Sequence, residues 1–244
     1  MGSSSIVRVG TWNTMWATPT SPRGRRIRAA LEVADCDVLC VTEGFAGIFP
    51  DAGHVIKARQ DWGCPVKDDR RKVLLWSKRP WADVDKVGSK GLPGGRFIRA
   101  ATRTAAGTIL TVVGACIPWR GANVKVCRKD REPWQDHRAW LAEFDGLRST
   151  LPTTRLVLLG DFNQRIPRHW VPPPGSIGEA LLQAFEGLRI ATEGRLPGAC
   201  RPSIDHIAHS PDLVPLGVTV WCNWDADGRR LSDHFGVRGD FSLP

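Results

Sequence analysis

Seven polar side chains stand at the ends of apolar stretches, or inside them, in this 244-residue chain. Asn13 closes "SIVRVGTWN", Glu43 closes "VLCVTE", Asp161 and Asn163 lie in "RLVLLGDFNQR", Asp205 lies in "SIDHI", and Asp233 and His234 lie in "LSDHFGV". A charge at the edge of a buried strand is costly unless it is paired or bound to a metal. Taken singly, each has an ordinary reading as a turn residue or helix cap. Taken together, Asn13, Glu43, Asp161, Asp205 and Asp233 mark the ends of five separate strands, and a shared function explains them better than five local accidents. Carboxylate oxygens suit a hard divalent cation such as Mg²⁺, with Mn²⁺ the alternative. Lys and Arg number 34 against 25 Asp and Glu, a net charge of +9. An acidic cluster inside a basic protein matches what a phosphate ester needs, because the cation neutralises developing charge and the basic rim attracts a polyanion.

The elements that must deliver these groups read as mixed α/β. "SIVRVGTWN" sets Val7, Val9, Thr11 and Asn13 on one face of a strand, and "RGRRIRAALEVA" sets Ile27, Ala30, Leu31 and Ala34 at helical spacing. "CDVLCVTE" and "LVLLGD" are short continuous apolar runs, so each is a strand buried on both faces. Further strands are expected near 54–60, 72–78, 96–103, 107–117, 203–209, 216–222 and 234–241. A helix from about Pro133 carries Trp140, Phe144, Leu147 and Leu151 as its apolar stripe, and "SIGEALLQAFEG" opens on a capping box of Ser176 and Glu179. Strands outnumber helices, which implies two packed sheets with helices outside, in one domain spanning 1–244.

Seven Cys without a CxxC pair, several inside strand-like runs, read as buried free thiols rather than a disulfide framework or zinc site. That usage, with no secretory signal at the N-terminus, points to a reducing, cytoplasmic setting. No apolar run approaches the roughly 20 residues of a membrane span. A P-loop, a strand-linked GxGxxG, a GxSxG elbow and HExxH are all missing, so nucleotide-cofactor chemistry and serine hydrolysis have no support.

"TWN" at 11–13, "TEG" at 42–44, "GDFN" at 160–163, "IDH" at 204–206 and "SDH" at 232–234 occur in the order that resembles the endonuclease/exonuclease/phosphatase superfamily. The resemblance covers essentially the whole chain, and "GDFN" with a terminal "SDH" is its specific part. It implies a four-layer α/β sandwich, two mixed β-sheets with helices on the outer faces, and a metal-dependent phosphoester hydrolase working by in-line attack of an activated water. It also implies roles. Glu43 would be the principal metal ligand, with Asn13 and Asp233 completing or orienting the shell. Asp161 would position or deprotonate the water. Asn163, taken to share Asp161's face by the strand period, would bind a phosphate oxygen. His234 would contact the scissile phosphate and be oriented by Asp205.

Departures are also visible. Where such proteins usually carry a Tyr or His that reaches the phosphate, this chain has Cys116 in "GACIPWRG", and it has no Tyr at all. A thiol is a poor substitute donor, so packing is the simpler role for Cys116, and Arg120 is either a replacement contact or a solvated loop charge. His206 falls on the opposite strand face from Asp205, and His209 lies about 13 Å along from it; both read as structural. Trp62, Trp119 and Trp170 sit in basic loops where stacking on bases competes with packing, whereas Trp12, Trp76 and Trp140 read as core. The basic balance favours a nuclease with nucleic acid as its substrate. Competing readings are a phosphatase or phosphodiesterase acting on a small-molecule or lipid phosphate, and a non-catalytic nucleic-acid-binding relative.

Overall fold

The computed structural model describes residues 5–65, 69–167 and 175–243. Its elements run β1 (Ser5–Asn13), α1 (Pro22–Val33), β2 (Val38–Phe45), β3 (His54–Lys57), β4 (Arg70–Ser77), β5 (Trp81–Asp85), β6 (Phe97–Arg103), β7 (Ile109–Cys116), α2 (Gln135–Arg148), β8 (Leu156–Asp161), α3 (Gly175–Ala184), β9 (Arg189–Ile190), β10 (Asp205–His209), β11 (Val214–Trp221) and β12 (Gly236–Leu243). They form two six-stranded sheets, ordered β11-β12-β1-β2-β4-β3 and β5-β6-β7-β8-β10-β9. Each sheet has one parallel pair near its centre, β1 with β2 and β7 with β8, and antiparallel neighbours elsewhere. A parallel pair needs a crossover. Here α1 and α2 supply it, and each is thereby laid on the outer face of its own sheet.

The layers follow from which residues alternate. In β8, Val157 and Leu159 face the other sheet, while Leu156 and Leu158 pack under α2 and α3 with Trp140, Phe144 and Leu181. In β2, Val38 and Cys40 enter the intersheet core, and Leu39 and Val41 meet Ile27 and Leu31 of α1. Both strands are therefore apolar without alternation, because neither face meets water. The result is the expected four-layer α/β sandwich. Among the described residues, no helix is long and apolar enough to cross a membrane.

Several expectations need correction. Cys64 and Cys127 form a disulfide, with Cα atoms 4.5 Å apart across 63 residues of sequence. Cys36, Cys40 and Cys116 are buried free thiols as expected, and Cys200 and Cys222 are free and exposed. The bonded pair sits in two loops that only the fold brings together, so spacing could not reveal it, and it removes the thiol argument for a reducing compartment. Ser176 lies inside α3 rather than capping it. Leu151 is buried but beyond the end of α2, and Leu147 is only half-buried. The short strands β5 and β9 were not anticipated; β5 alternates too weakly at a sheet edge to show a period.

Candidate active site at the junction of the two sheets

Parity places the site. Val7, Val9, Thr11 and Asn13 form the inner face of β1, and Val157, Leu159 and Asp161 form the inner face of β8. Both strands end at the same rim, where Asn13 Nδ2 donates to Asp161 Oδ2 at 2.9 Å across the sheet interface. The antiparallel register of β10 on β8 sets Asp205 directly opposite Asp161. Both carboxylates are buried, at 1% and 2% exposure. Like charges facing each other across a ladder are destabilising, so this pairing demands compensation.

Part of that compensation comes from His234, just before β12. Asp205 Oδ2 lies 2.5 Å from His234 Nδ1; a carboxylate accepts, so Nδ1 carries the hydrogen and Nε2 is left toward the open side. The ring's backbone is fixed by three contacts: Trp12 Nε1 donates to the His234 carbonyl (2.8 Å), the His234 N–H donates to Ser232 Oγ (3.1 Å), and Ser232 Oγ donates to the Asn13 carbonyl (2.6 Å). Burial alone would lower the imidazole's affinity for a proton. The charge and hydrogen bond of Asp205, reinforced by Asp161 and Asp233, outweigh it and raise His234 to about 10. Burial drives Asp161 the other way for a carboxyl, up to about 7, with Asp205 and Glu43 adding to the rise and His234 and Asn13 opposing it. One ligand atom from each of Asp161, Asp205 and His234 lies within 4.8 Å of the others. Asp205 Oδ1, also buried, has no hydrogen-bond partner. An orphaned carboxylate oxygen beside a second buried carboxylate leaves negative charge that a hard divalent cation held at the adjoining rim would offset.

A sequence profile of the Endonuclease/Exonuclease/phosphatase family matches residues 10–234. The chain belongs to that family. Solved structures with a similar fold include a 3'-5' exonuclease from Neisseria meningitidis (20% identity, 96% of this chain and 99% of that one, TM-score 0.70). Others are the endonuclease domain of TRAS1, a telomere-specific non-LTR retrotransposon (17%, 98% and 99%, 0.64), and D. rerio TDP2 complexed with single-strand DNA product (14%, 97% and 99%, 0.64). No curated protein matches the sequence. Members of this family are hydrolases of phosphoesters.

The remaining site residues fall around this centre. Asn163 is not on the strand: β8 stops at Asp161, and Asn163 adopts φ +54°. Its N–H donates to Asp161 Oδ1 (2.9 Å) and its Nδ2 to the Ile117 carbonyl (2.8 Å). An Asx turn rather than the two-residue period therefore positions it. Glu43 does not end β2 but interrupts its alternation at φ +48°, and its Oε1 accepts from Lys72 Nζ at 2.6 Å. Asp233 is 44% exposed, with Oδ1 3.9 Å from His234 Nε2. Glu43 and Asp233 thus flank the three-residue group and lie outside it.

Two buried cations escaped the sequence reading. Lys72, at 8% exposure, comes from β4, where it looked like the edge of an apolar strand; it also lies 5.0 Å from the Trp16 ring centroid. Arg96, at 4%, donates to the Cys116 carbonyl (3.3 Å) and approaches its Sγ (3.7 Å). A cation in a hydrophobic run, or in "GGRF", was the available signal. Cys116 pairs in register with Asp161, but burial pushes its thiol up to about 12, so it stays a neutral packing group. Arg120 is exposed in its loop. His206 is buried between Thr192 Oγ1 and the Gln164 carbonyl, and burial lowers it to about 4; His209 packs on Phe241. Trp12, Trp76 and Trp140 are core, Trp62 is buried and stacked on Trp16, and Trp119 is half-exposed. Trp170 lies outside the described residues.

Gly160 explains why "GD" ends this strand. Its φ is +146°, and a Cβ there would run into the Ala115 carbonyl oxygen of β7. Only Gly lets β8 approach β7 closely enough to present Asp161 at the rim.

Proposed function

We propose that this chain, acting as one domain, is a divalent-metal-dependent nuclease that hydrolyses nucleic-acid phosphodiesters. The observation that carries the reading is the buried Asp161–Asp205 opposition with His234 hydrogen-bonded to Asp205, which costs stability and has no structural use. The net charge of +9 and the kinship with proteins whose structures hold DNA products support nucleic acid as the substrate.

Glu43, with Asn13 and Asp233 beside it, is the group of residues that would hold Mg²⁺ or Mn²⁺; bound there, the cation supplies charge neutralisation and polarises a phosphoryl oxygen. Asp161, raised to about 7, is matched to accept a proton from water near neutral pH. The water oxygen bonds to phosphorus as the opposite ester P–O bond breaks, the leaving oxygen takes a proton from solvent water to depart as an alcohol, and Asp161 returns its proton to solvent. His234, protonated below about 10, donates from Nε2 to a phosphate oxygen while Asp205 fixes the ring. Asn163 Nδ2 retains a second hydrogen for another phosphate oxygen once Ile117 has taken the first.

The test is a substrate panel with Mg²⁺, Mn²⁺ or chelator: DNA, RNA, abasic duplex, a simple phosphodiester and a phosphomonoester. Metal-dependent cleavage of a polynucleotide, lost in Asp161→Asn with polyanion binding retained, is the expected result. Hydrolysis confined to the monoester would replace the reading by a phosphatase, and full activity in Asp161→Asn would overturn the role given to that residue.

A further inference from the structure

Beside His234 a cleft of about 290 Å³ opens between the loop that carries the ring and the segment leading into β10. Against the roughly 30 Å³ that one water occupies in the liquid, it has room for a phosphate with part of its sugar. Three arginines line it, Arg165, Arg201 and Arg230. Arg201 Nη2 donates to the Asp233 carbonyl, and Arg230 Nε donates to the Ser232 carbonyl at 3.2 Å. These anchors are backbone oxygens, so they orient the groups without cancelling their charge. None of the three makes an ion pair among the described residues, whereas Arg26, Arg59, Arg128, Arg131 and Arg238 each do. The acidic groups on the wall are Asp205, already held by His234, and Asp233. Three arginines against two carboxylates leave a surplus of positive charge in one concavity.

We infer that this cleft is a second anion subsite, taking the phosphate adjacent to the one hydrolysed. The inference rests on the nuclease reading and sharpens it: a substrate carrying two neighbouring phosphates is preferred over a single-phosphate ester. Planar guanidinium forks suit this task, since each offers paired N–H donors to phosphate oxygens. The three Arg residues set specificity; they do not touch the reacting atoms.

The experiment compares kcat/KM for a thymidine dinucleoside monophosphate, which has one phosphate, with the trinucleoside diphosphate, which has two. A dinucleotide bearing a 5'-terminal phosphate distinguishes a terminal from an internal second phosphate. The wild type is expected to prefer two-phosphate substrates at least tenfold. In the triple variant Arg165→Gln, Arg201→Gln, Arg230→Gln, where Gln can still donate to the anchoring carbonyls, the preference should collapse toward unity. General damage to the fold would lower both rates together and leave the ratio intact, and an intact ratio overturns the subsite. If the wild type cleaves none of the three, the nuclease reading is decided by the polynucleotide panel instead. The cleft is then judged by calorimetry with pyrophosphate: binding lost in the triple variant upholds an anion subsite, and no binding to the wild type overturns it.

Discussion

Replacing Asp161 with Asn should alter the pH dependence of folding stability, and the size of that change follows from the site. Burial holds the Asp161 carboxyl at about 7 in the folded chain against an ordinary 3.8. Between those values the folded state binds a proton that the unfolded state has released. Stability therefore falls as pH rises through this window and levels off above it. At about 1.4 kcal/mol per pH unit, the wild type loses roughly 4 kcal/mol from this group across the window, and about 2 kcal/mol of that between pH 5 and pH 7, where the carboxyl is half-titrated. His234 acts in the same direction but in a higher window. Its raised affinity contributes stability that is complete below 6.5 and disappears as pH climbs toward about 10. Asp205 supplies most of that effect and remains in the variant, so the difference between the two proteins isolates Asp161. The Asn amide also has one oxygen for two donors, Asn13 Nδ2 and the Asn163 N–H, a pH-independent cost of about 1–3 kcal/mol. The slope, not the offset, is the readout. Urea unfolding followed by tryptophan fluorescence, in chelator at several pH values from 5 to 8, should show the variant gaining on the wild type up to about pH 7 and then running parallel. Curves parallel throughout would refute the buried, uncompensated carboxylate.

Glu43→Ala should weaken Mg²⁺ binding measured by calorimetry, and an unchanged isotherm would remove Glu43 from the ligand set. Binding of a non-cleaved oligonucleotide should weaken steeply with salt, by roughly one power of concentration per phosphate neutralised; a flat response would redirect the search to small substrates. Cys64→Ser with Cys127→Ser should lower stability by up to about 4 kcal/mol, the chain-entropy limit for a closure of 63 residues. Equal unfolding midpoints with and without reductant in the wild type would show that the bond contributes nothing.

Much of this molecule is a local property of its residues. β1, β2, β4, β7, β8 and α1 follow from apolar period and length, and two-sided burial of "VLCV" and "LVLL" already implies a layered sandwich. The polar groups at strand ends were legible for the same reason, since a charge that interrupts a buried run is conspicuous against its neighbours. Tertiary structure decided what strand ends cannot encode, namely which residues meet. Register made Asp161 and Asp205 direct partners, Ser232 tied the final loop to β1, and Lys72 crossed from β4 to Glu43. Left-handed backbone at Glu43 and Asn163 broke the period that would have aimed their side chains. Loop approach alone joined Cys64 to Cys127. Burial and charge act through space, whereas periodicity records only neighbours along the chain; the identity of the site's groups was therefore readable from order, and their pairing was not.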